Sequence, residues 1–246
     1  MRISLPISAG IVKKLLFTGV RSINFAPNLC AIRSMFIQVQ ETPNPLTLKF
    51  VPGQKILVDA SRTYDFTSLK QASVSPLAKK LMRIEGVKGV FFGEDFVTVT
   101  KENEEEDWAV IKPDVFATIM DHLQSDKPVF NENEDLSNEP TDTTILPEDD
   151  DTVAMIKELL ESRIKPMVQE DGGDVLYAGF EDGILKLKLK GSCTGCPSSS
   201  VTLKSGIKNM MQFYVPDVKD VIEVQDEADK LVEREFEILT KKLDDR

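Results

Sequence analysis

Residues 184–199 read ILKLKLKGSCTGCPSS, a stretch that holds both a clear strand pattern and the only chemical motif of the chain. Leucines alternate with lysines up to residue 190, which predicts a strand with one buried side and one solvent-facing side. Pro197 suits the first turn of a helix, so a helix is predicted from there to about Tyr214. Cys193 and Cys196 therefore lie where a strand ends and a helix begins.

Around this stretch, residues 152–225 are predicted to form one domain with the order α-β-β-α-β. Apolar residues at helical spacing predict a first helix over 152–168, and Gly172 and Gly173 follow its end. The remaining elements are strands at 175–180 and 184–190 around a turn at 181–183, the helix after Pro197, and a closing strand at 218–224.

Residues 36–125 are predicted to form a second, upstream domain. Short strand patterns occur at 36–39, 46–50, 87–92 and 96–100, and Ser75-Pro76 is a typical helix start. A second helix is predicted over 107–123. Helices and strands mix without regular βαβ alternation, so the fold class is α+β, with two small domains.

The segments outside these domains differ in charge. Residues 126–151 are predicted to be an acidic linker, because residues 131–151 contain nine acids and no base. Residues 226–246 are predicted to be a charged helical tail facing solvent. The net charge of −11, which becomes more negative without the first 34 residues, makes nucleic acid a poor partner.

Residues 1–34 are basic, contain serines and have no acid before Glu41, which is typical of a mitochondrial transit peptide. A disordered basic tail is the plainer alternative, and a secretory signal fits worse because Lys13 and Lys14 interrupt the apolar stretch. Removal of this segment would also remove Cys30. The chain has no run of 18 apolar residues, so no membrane-spanning helix is predicted, and the mitochondrial matrix is the expected location.

The pair Cys193 and Cys196 admits several kinds of chemistry. Unpaired amides at a helix start favour thiolates, and this geometry predicts that both sulfurs point outward. A [4Fe–4S] cluster needs four thiolates and hence two chains. A zinc site could be built in the same way, and a thiol–disulfide oxidoreductase also uses a CxxC pair. Two buried, inert cysteines are the purely structural alternative.

Two separate motif sets resemble one known family. Residues 169–175 (QEDGGDV) and 191–199 (GSCTGCPSS) look like the C-terminal domain of NifU-type iron–sulfur scaffolds. Upstream, residues 42–45 (TPNP), 48–50 (LKF), 83–87 (RIEGV) and 91–93 (FFG) resemble the N-terminal domain of NFU-type mitochondrial scaffolds. The two sets occur in the right order and cover nearly all of residues 36–225.

The resemblance implies a cluster scaffold or carrier that is not an enzyme. It implies a [4Fe–4S] cluster on Cys193 and Cys196, shared between two chains, in a homodimer or higher oligomer. Upstream cluster-assembly proteins would supply the cluster. Client apo-proteins such as lipoyl synthase and respiratory-complex subunits would receive it. The N-terminal domain of the family carries no cluster ligands, and no cysteine lies between residues 31 and 192 here. His122, the only histidine, is expected at the surface.

Overall fold

The computed structural model describes residues 36–59, 61–125, 127–131, 141–195 and 197–224. The predicted transit peptide (residues 1–34), the predicted tail (226–246), Cys30, Cys196 and the middle of the predicted linker lie outside the described residues. Within the described ranges, no helix has the length and apolar character needed to cross a membrane.

The upstream domain is a five-stranded antiparallel sheet with two helices. In chain order its elements are β1 (Gln38–Glu41), β2 (Thr47–Val51), β3 (Tyr64–Phe66), α1 (Pro76–Leu81), β4 (Val87–Phe92), β5 (Val97–Lys101) and α2 (Trp108–Gln124). The strands lie in the order β1-β2-β5-β4-β3. The predicted helix start is confirmed, because the Ser75 side chain accepts a hydrogen bond from the amide of Ala78 at the beginning of α1.

Both faces of this sheet are buried, and this arrangement positions the site. Phe50, Val90 and Phe92 point to one face and form a core that includes residues of α1 and α2. On the other face Phe91 and Thr98 are 2% and 0% exposed. Successive side chains of a strand alternate between faces, so a sheet covered by helices on one face needs another partner on the second. That partner is the downstream domain.

The downstream domain has the predicted α-β-β-α-β order, which confirms the α+β class. Its elements are α3 (Asp151–Leu159), a π-helical turn (Leu160–Ile164), α4 (Lys165–Glu170), β6 (Gly173–Glu181), β7 (Ile184–Gly191), α5 (Pro197–Tyr214) and β8 (Asp220–Glu223). The strands lie in the order β6-β7-β8, with β7 antiparallel to β6 and parallel to β8. Leu185, Leu187 and Leu189 are buried, as their alternation predicts.

A π turn interrupts the first helix of this domain, whereas the sequence pattern predicts a single helix over residues 152–168. Pro166 lies just after the turn. Proline has no amide hydrogen, and its ring crowds the carbonyl group four residues earlier. A π turn widens the helix locally, so the chain passes Pro166 and remains helical to Glu170. The helix therefore ends next to the glycines that precede β6.

The described end of the acidic segment, residues 141–150, is fastened to these helices by two buried lysines. Lys165 is 4% exposed, and its ammonium group lies 2.8 Å from Asp142 and 3.3 Å from Glu161. Lys157, also 4% exposed, lies 2.6 Å from Asp149. Burial opposes the charge of Lys165, but the hydrogen bond and charge of Asp142 outweigh it, so the pKa of Lys165 is raised.

We expect Lys165→Met to lower the free energy of unfolding by about 2 kcal/mol, because it removes charge-assisted hydrogen bonds from a buried position. Urea denaturation at pH 7 measures the change. Lys186→Met is the matched control, since the ion pair of Lys186 with Glu181 is largely exposed and its loss should leave the midpoint unchanged. Equal effects of the two substitutions would contradict the role given to Lys165.

His122 is buried, so its predicted surface position is wrong. It is 0% exposed and lies on the buried side of α2, at helical spacing from Val115 and Ile119. The chain returns past α2 after the helix ends. Residues 127–131 are anchored there by the Ser75 hydroxyl, which donates to the carbonyl of Val129 at 2.6 Å. Burial, and then the charge of Lys80, lower the pKa of His122.

This lowered pKa predicts that stability falls in mild acid. The unfolded chain takes up a proton at His122 near the ordinary pKa of about 6.5, whereas the folded chain takes it up only at lower pH. The free energy of unfolding should therefore decrease as the pH falls from 7.5 towards 5.5. His122→Gln should flatten this slope, as measured by urea denaturation at both pH values. An unchanged slope in the variant would show that another group is responsible.

Candidate functional site

The cysteine motif forms a short loop between β7 and α5, and backbone hydrogen bonds hold it. These bonds run from the amide of Ser192 to the carbonyl of Gly172 (3.3 Å), from Cys193 to Lys190 (3.4 Å) and from Thr194 to Gly191 (3.2 Å). Gly195 has a φ of +70°, a left-handed conformation that glycine adopts without strain. The loop can therefore turn tightly before α5 begins at Pro197.

Cys193 is buried, so the prediction that its sulfur points outward is wrong. It is 5% exposed and belongs to the core of the downstream domain. The reason lies in Gly173 at the start of β6. A Cβ atom at this position would lie 2.6 Å from the Cys193 sulfur, so only glycine leaves room for the thiol. The Ser192 hydroxyl oxygen lies 3.9 Å from the same sulfur.

A cavity of about 410 Å³ opens beside Cys193. Its walls are mostly apolar and come from the end of α4, the cysteine loop, α5 and the turn between β1 and β2. The residues that form it include Met167 and Val168 of α4, Leu203 and Gly206 of α5, and Pro43. The cavity thus gives the thiol of Cys193 a space that both domains help to enclose.

Cys196, the second predicted ligand, lies outside the described residues. Its sequence position places it three residues after Cys193 and directly before α5. Within the described ranges, no group of three or more histidine, cysteine, aspartate or glutamate side chains is placed to hold a metal ion.

The upstream domain contacts the segment that precedes β6. The Thr98 hydroxyl donates a hydrogen bond to the carbonyl of Gly172 at 2.7 Å. The ammonium group of Lys49 donates to the carbonyls of Gln169 and Glu170 at 3.0 and 3.2 Å. These carbonyls belong to the last turn of α4, where a helix lacks internal donors and a cation is favoured. Burial lowers the pKa of Lys49, and the charges of Asp95 and Glu170 partly offset this effect.

A further polar contact joins the domains at the start of β6. The Thr63 hydroxyl donates to a carboxylate oxygen of Asp174 at 2.6 Å. Asp174 is 2% exposed, and burial raises its pKa despite that hydrogen bond and the charge of Lys165. Sequence reasoning missed these residues, because no local pattern shows which distant strand will meet the glycines 172 and 173.

Two protein families match the chain. The family described as the scaffold protein Nfu/NifU N terminal matches residues 37–126. The family described as the NifU-like domain matches residues 156–222. The second match includes the cysteine loop and the elements on both sides of it.

Curated relatives match over most of the chain. A protein of Drosophila sechellia named NFU1 iron-sulfur cluster scaffold homolog, mitochondrial, is 56% identical over 86% of this chain and 72% of its own length. The Homo sapiens protein of the same name is 59% identical over 80% of this chain and 74% of its own length. The solution structure of a NifU-like protein from Saccharomyces cerevisiae is 24% identical, covers 40% of this chain and 86% of that one, and has a TM-score of 0.35.

Proposed function

This chain belongs to the family of mitochondrial NFU1 iron-sulfur cluster scaffold proteins, and from that premise we propose that two copies of it hold one [4Fe–4S] cluster. The ligands are Cys193 and Cys196 of each copy. The loaded protein is a homodimer or a higher oligomer. The cluster is cargo, which the protein receives from upstream assembly proteins and passes to client apo-proteins. No chemical conversion of the clients is required, so the protein acts as a carrier and not as an enzyme.

The observation that carries this proposal is the position of Cys193 beside the cavity. A thiol at the edge of a mostly apolar space can bind a cluster while water is kept away from the sulfur. Hydrogen bonds and solvent exposure at the ligand sulfurs tune a cluster. The Ser192 hydroxyl lies 3.9 Å from the Cys193 sulfur but donates its hydrogen to the carbonyl of Asp171 at 2.7 Å. The apolar walls around Cys193 are compatible with a cluster ligand.

The need for two chains comes from counting ligands. Once the predicted leader with Cys30 is removed, Cys193 and Cys196 are the only cysteines in the sequence. A [4Fe–4S] cluster takes four thiolates, so each of two chains contributes a pair. Two-fold symmetry, the commonest symmetry of protein dimers, gives both chains the same contact surface.

A thiol–disulfide oxidoreductase is the alternative function for the same pair. Its chemistry needs a thiolate that a substrate disulfide can reach. Cys193 is 5% exposed, which disfavours an attack by this cysteine. A zinc site across two chains would use the same four sulfurs. Only identification of the bound metal distinguishes a zinc site from a cluster.

Mitochondrial location follows from the family. We place the protein in the matrix, with residues 1–34 as the cleaved leader. By their chemistry its clients are apo-enzymes that need [4Fe–4S] clusters, and lipoyl synthase and respiratory-complex subunits fit that description.

The experiment that tests the proposal is anaerobic reconstitution of the full chain carrying Cys30→Ser, with iron and sulfide, in the presence of an equal amount of zinc. About two iron and two sulfide per chain are expected, because four thiolates from two chains hold one cluster. Bound zinc without sulfide would show that the cysteines form a zinc site and not a cluster site. No bound metal, together with turnover of a disulfide substrate by the metal-free protein, would identify an oxidoreductase.

A further inference from the structure

Asn44 of the upstream domain contacts the cysteine loop directly. It lies in the turn between β1 and β2 and is 3% exposed. Its side-chain amide donates hydrogen bonds to the carbonyl of Ser192 at 3.0 Å and to that of Thr194 at 3.3 Å. These two carbonyls belong to the residues immediately before and after Cys193. One side chain from a domain without candidate ligands thus holds both sides of the cysteine.

The orientation of the Asn44 amide is fixed by its own turn. The side-chain oxygen accepts a hydrogen bond from the amide of Leu46 at 3.0 Å, so the nitrogen is the end that faces the loop. The backbone carbonyl of Asn44 accepts from the amide of Thr47 at 3.0 Å. Pro43 and Pro45 restrict the backbone on both sides of Asn44. The donor is therefore held in place before it meets the cysteine loop.

We propose that Asn44 is a positioning residue for the loop that carries Cys193, an inference that rests on the proposed cluster binding. Its two hydrogen bonds fix the carbonyl groups of Ser192 and Thr194, the residues on either side of Cys193, and keep the thiol at the cavity edge. Pro43, the residue before Asn44, lines the same cavity as Cys193. The upstream domain thereby sets the geometry and accessibility of a ligand that it does not itself provide.

The neighbouring domain contacts allow this role to be separated from general domain docking. Thr98 also donates across the interface, but its acceptor is the carbonyl of Gly172, outside the cysteine loop. The same carbonyl accepts the amide of Ser192, and that bond does not need the Thr98 hydroxyl. Thr98→Val removes an interdomain hydrogen bond without removing either bond of Asn44. Asn44→Asp keeps the size of the side chain but replaces the donor by a carboxylate that faces two carbonyl oxygens. Asn44→Ala removes the donor without adding charge.

The test compares these three variants with the parent, each as the full chain carrying Cys30→Ser. The first readout needs no cluster: the rate at which iodoacetamide alkylates Cys193 in the metal-free protein, followed by peptide mass spectrometry. Loss of two hydrogen bonds of ordinary strength should raise this rate by about tenfold in both Asn44 variants. The second readout is the rate of iron loss to a chelator after reconstitution, which should rise by a similar factor while iron per chain stays the same. Thr98→Val should leave both rates at the parental value.

Parental rates in folded Asn44→Ala would overturn the proposal, and so would an equal increase in Thr98→Val, which would indicate general docking. If the Asn44 variants fail to fold, NMR of the parent decides: a scalar coupling across the hydrogen bond from the Asn44 side-chain nitrogen to the Ser192 carbonyl is expected, and its absence overturns the proposal. If the parent binds no cluster, the proposed function fails, but the alkylation rates still decide the role of Asn44.

Discussion

Cys193→Ser is expected to abolish cluster binding while the chain remains folded. A serine hydroxyl does not ionise near neutral pH and cannot replace a thiolate ligand, so each chain would offer a single sulfur. Iron and sulfide per chain after anaerobic reconstitution measure the effect, and circular dichroism reports the fold. We expect iron to fall to the background of a sample prepared without sulfide.

Because Cys193 is buried, two further variants are needed to separate loss of the ligand from loss of stability. A hydroxyl placed in an apolar core costs about 1–3 kcal/mol, so reduced stability alone could lower cluster binding by Cys193→Ser. Cys193→Ala removes the sulfur without adding a polar group and should lose iron equally. Thr194→Ser is the matched control in the same loop, because it keeps the hydroxyl that donates to the Leu189 carbonyl at 3.2 Å. Full iron content in either Cys193 variant would exclude Cys193 as a ligand.

Gly173→Ala is expected to displace Cys193 and to weaken cluster binding at least tenfold. The new methyl group would lie 2.6 Å from the Cys193 sulfur and 2.8 Å from the Lys190 carbonyl oxygen. That carbonyl accepts the amide of Cys193, so both the side chain and the backbone of the loop must move. Overpacking of this kind costs about 1–3 kcal/mol. Urea denaturation and iron content measure the two consequences.

Gly206→Ala is the matched control for this prediction. It makes the same chemical change at a residue that lines the same cavity, but its Cβ would meet no atom within 4 Å. An alanine inside a helix should stabilise the chain by about 0.5–1 kcal/mol relative to glycine. Iron content should equal that of the parent. The account of Gly173 would be wrong if both alanine variants bound the same amount of iron.

The sequence predicted the elements whose signals are local. Alternation of Leu185, Leu187 and Leu189 identified β7, and Ser75-Pro76 identified the start of α1. Each signal depends on residues within a few positions of one another, so a single sequence reveals it. The same holds for the cysteine loop, whose glycines and proline mark a turn before a helix. The resemblance to a known scaffold family, on which the choice of iron over zinc depended, is confirmed at the level of the family.

Contacts between distant segments could not be predicted in this way. Asn44 looked like a simple turn residue between two prolines, and its partners lie 148 and 150 positions away. The burial of Cys193 depends on Gly173, which the sequence indicated only as a helix end. The burial of His122, by contrast, agrees with its helical spacing from Ile111, Val115 and Ile119. The domain boundaries and the ligand pair remain predictions.

The central claim is that one cluster is shared by two chains, and native mass spectrometry of the reconstituted protein tests it most directly. The sample is the full chain carrying Cys30→Ser, so that Cys193 and Cys196 are its only thiols. The account predicts that the reconstituted sample contains a species with the mass of two chains plus one cluster of four iron and four sulfide. A metal-free sample should lack this species. Two results would contradict it. One is a single chain that carries a complete cluster, and the other is a protein that binds a metal but contains no iron and sulfide.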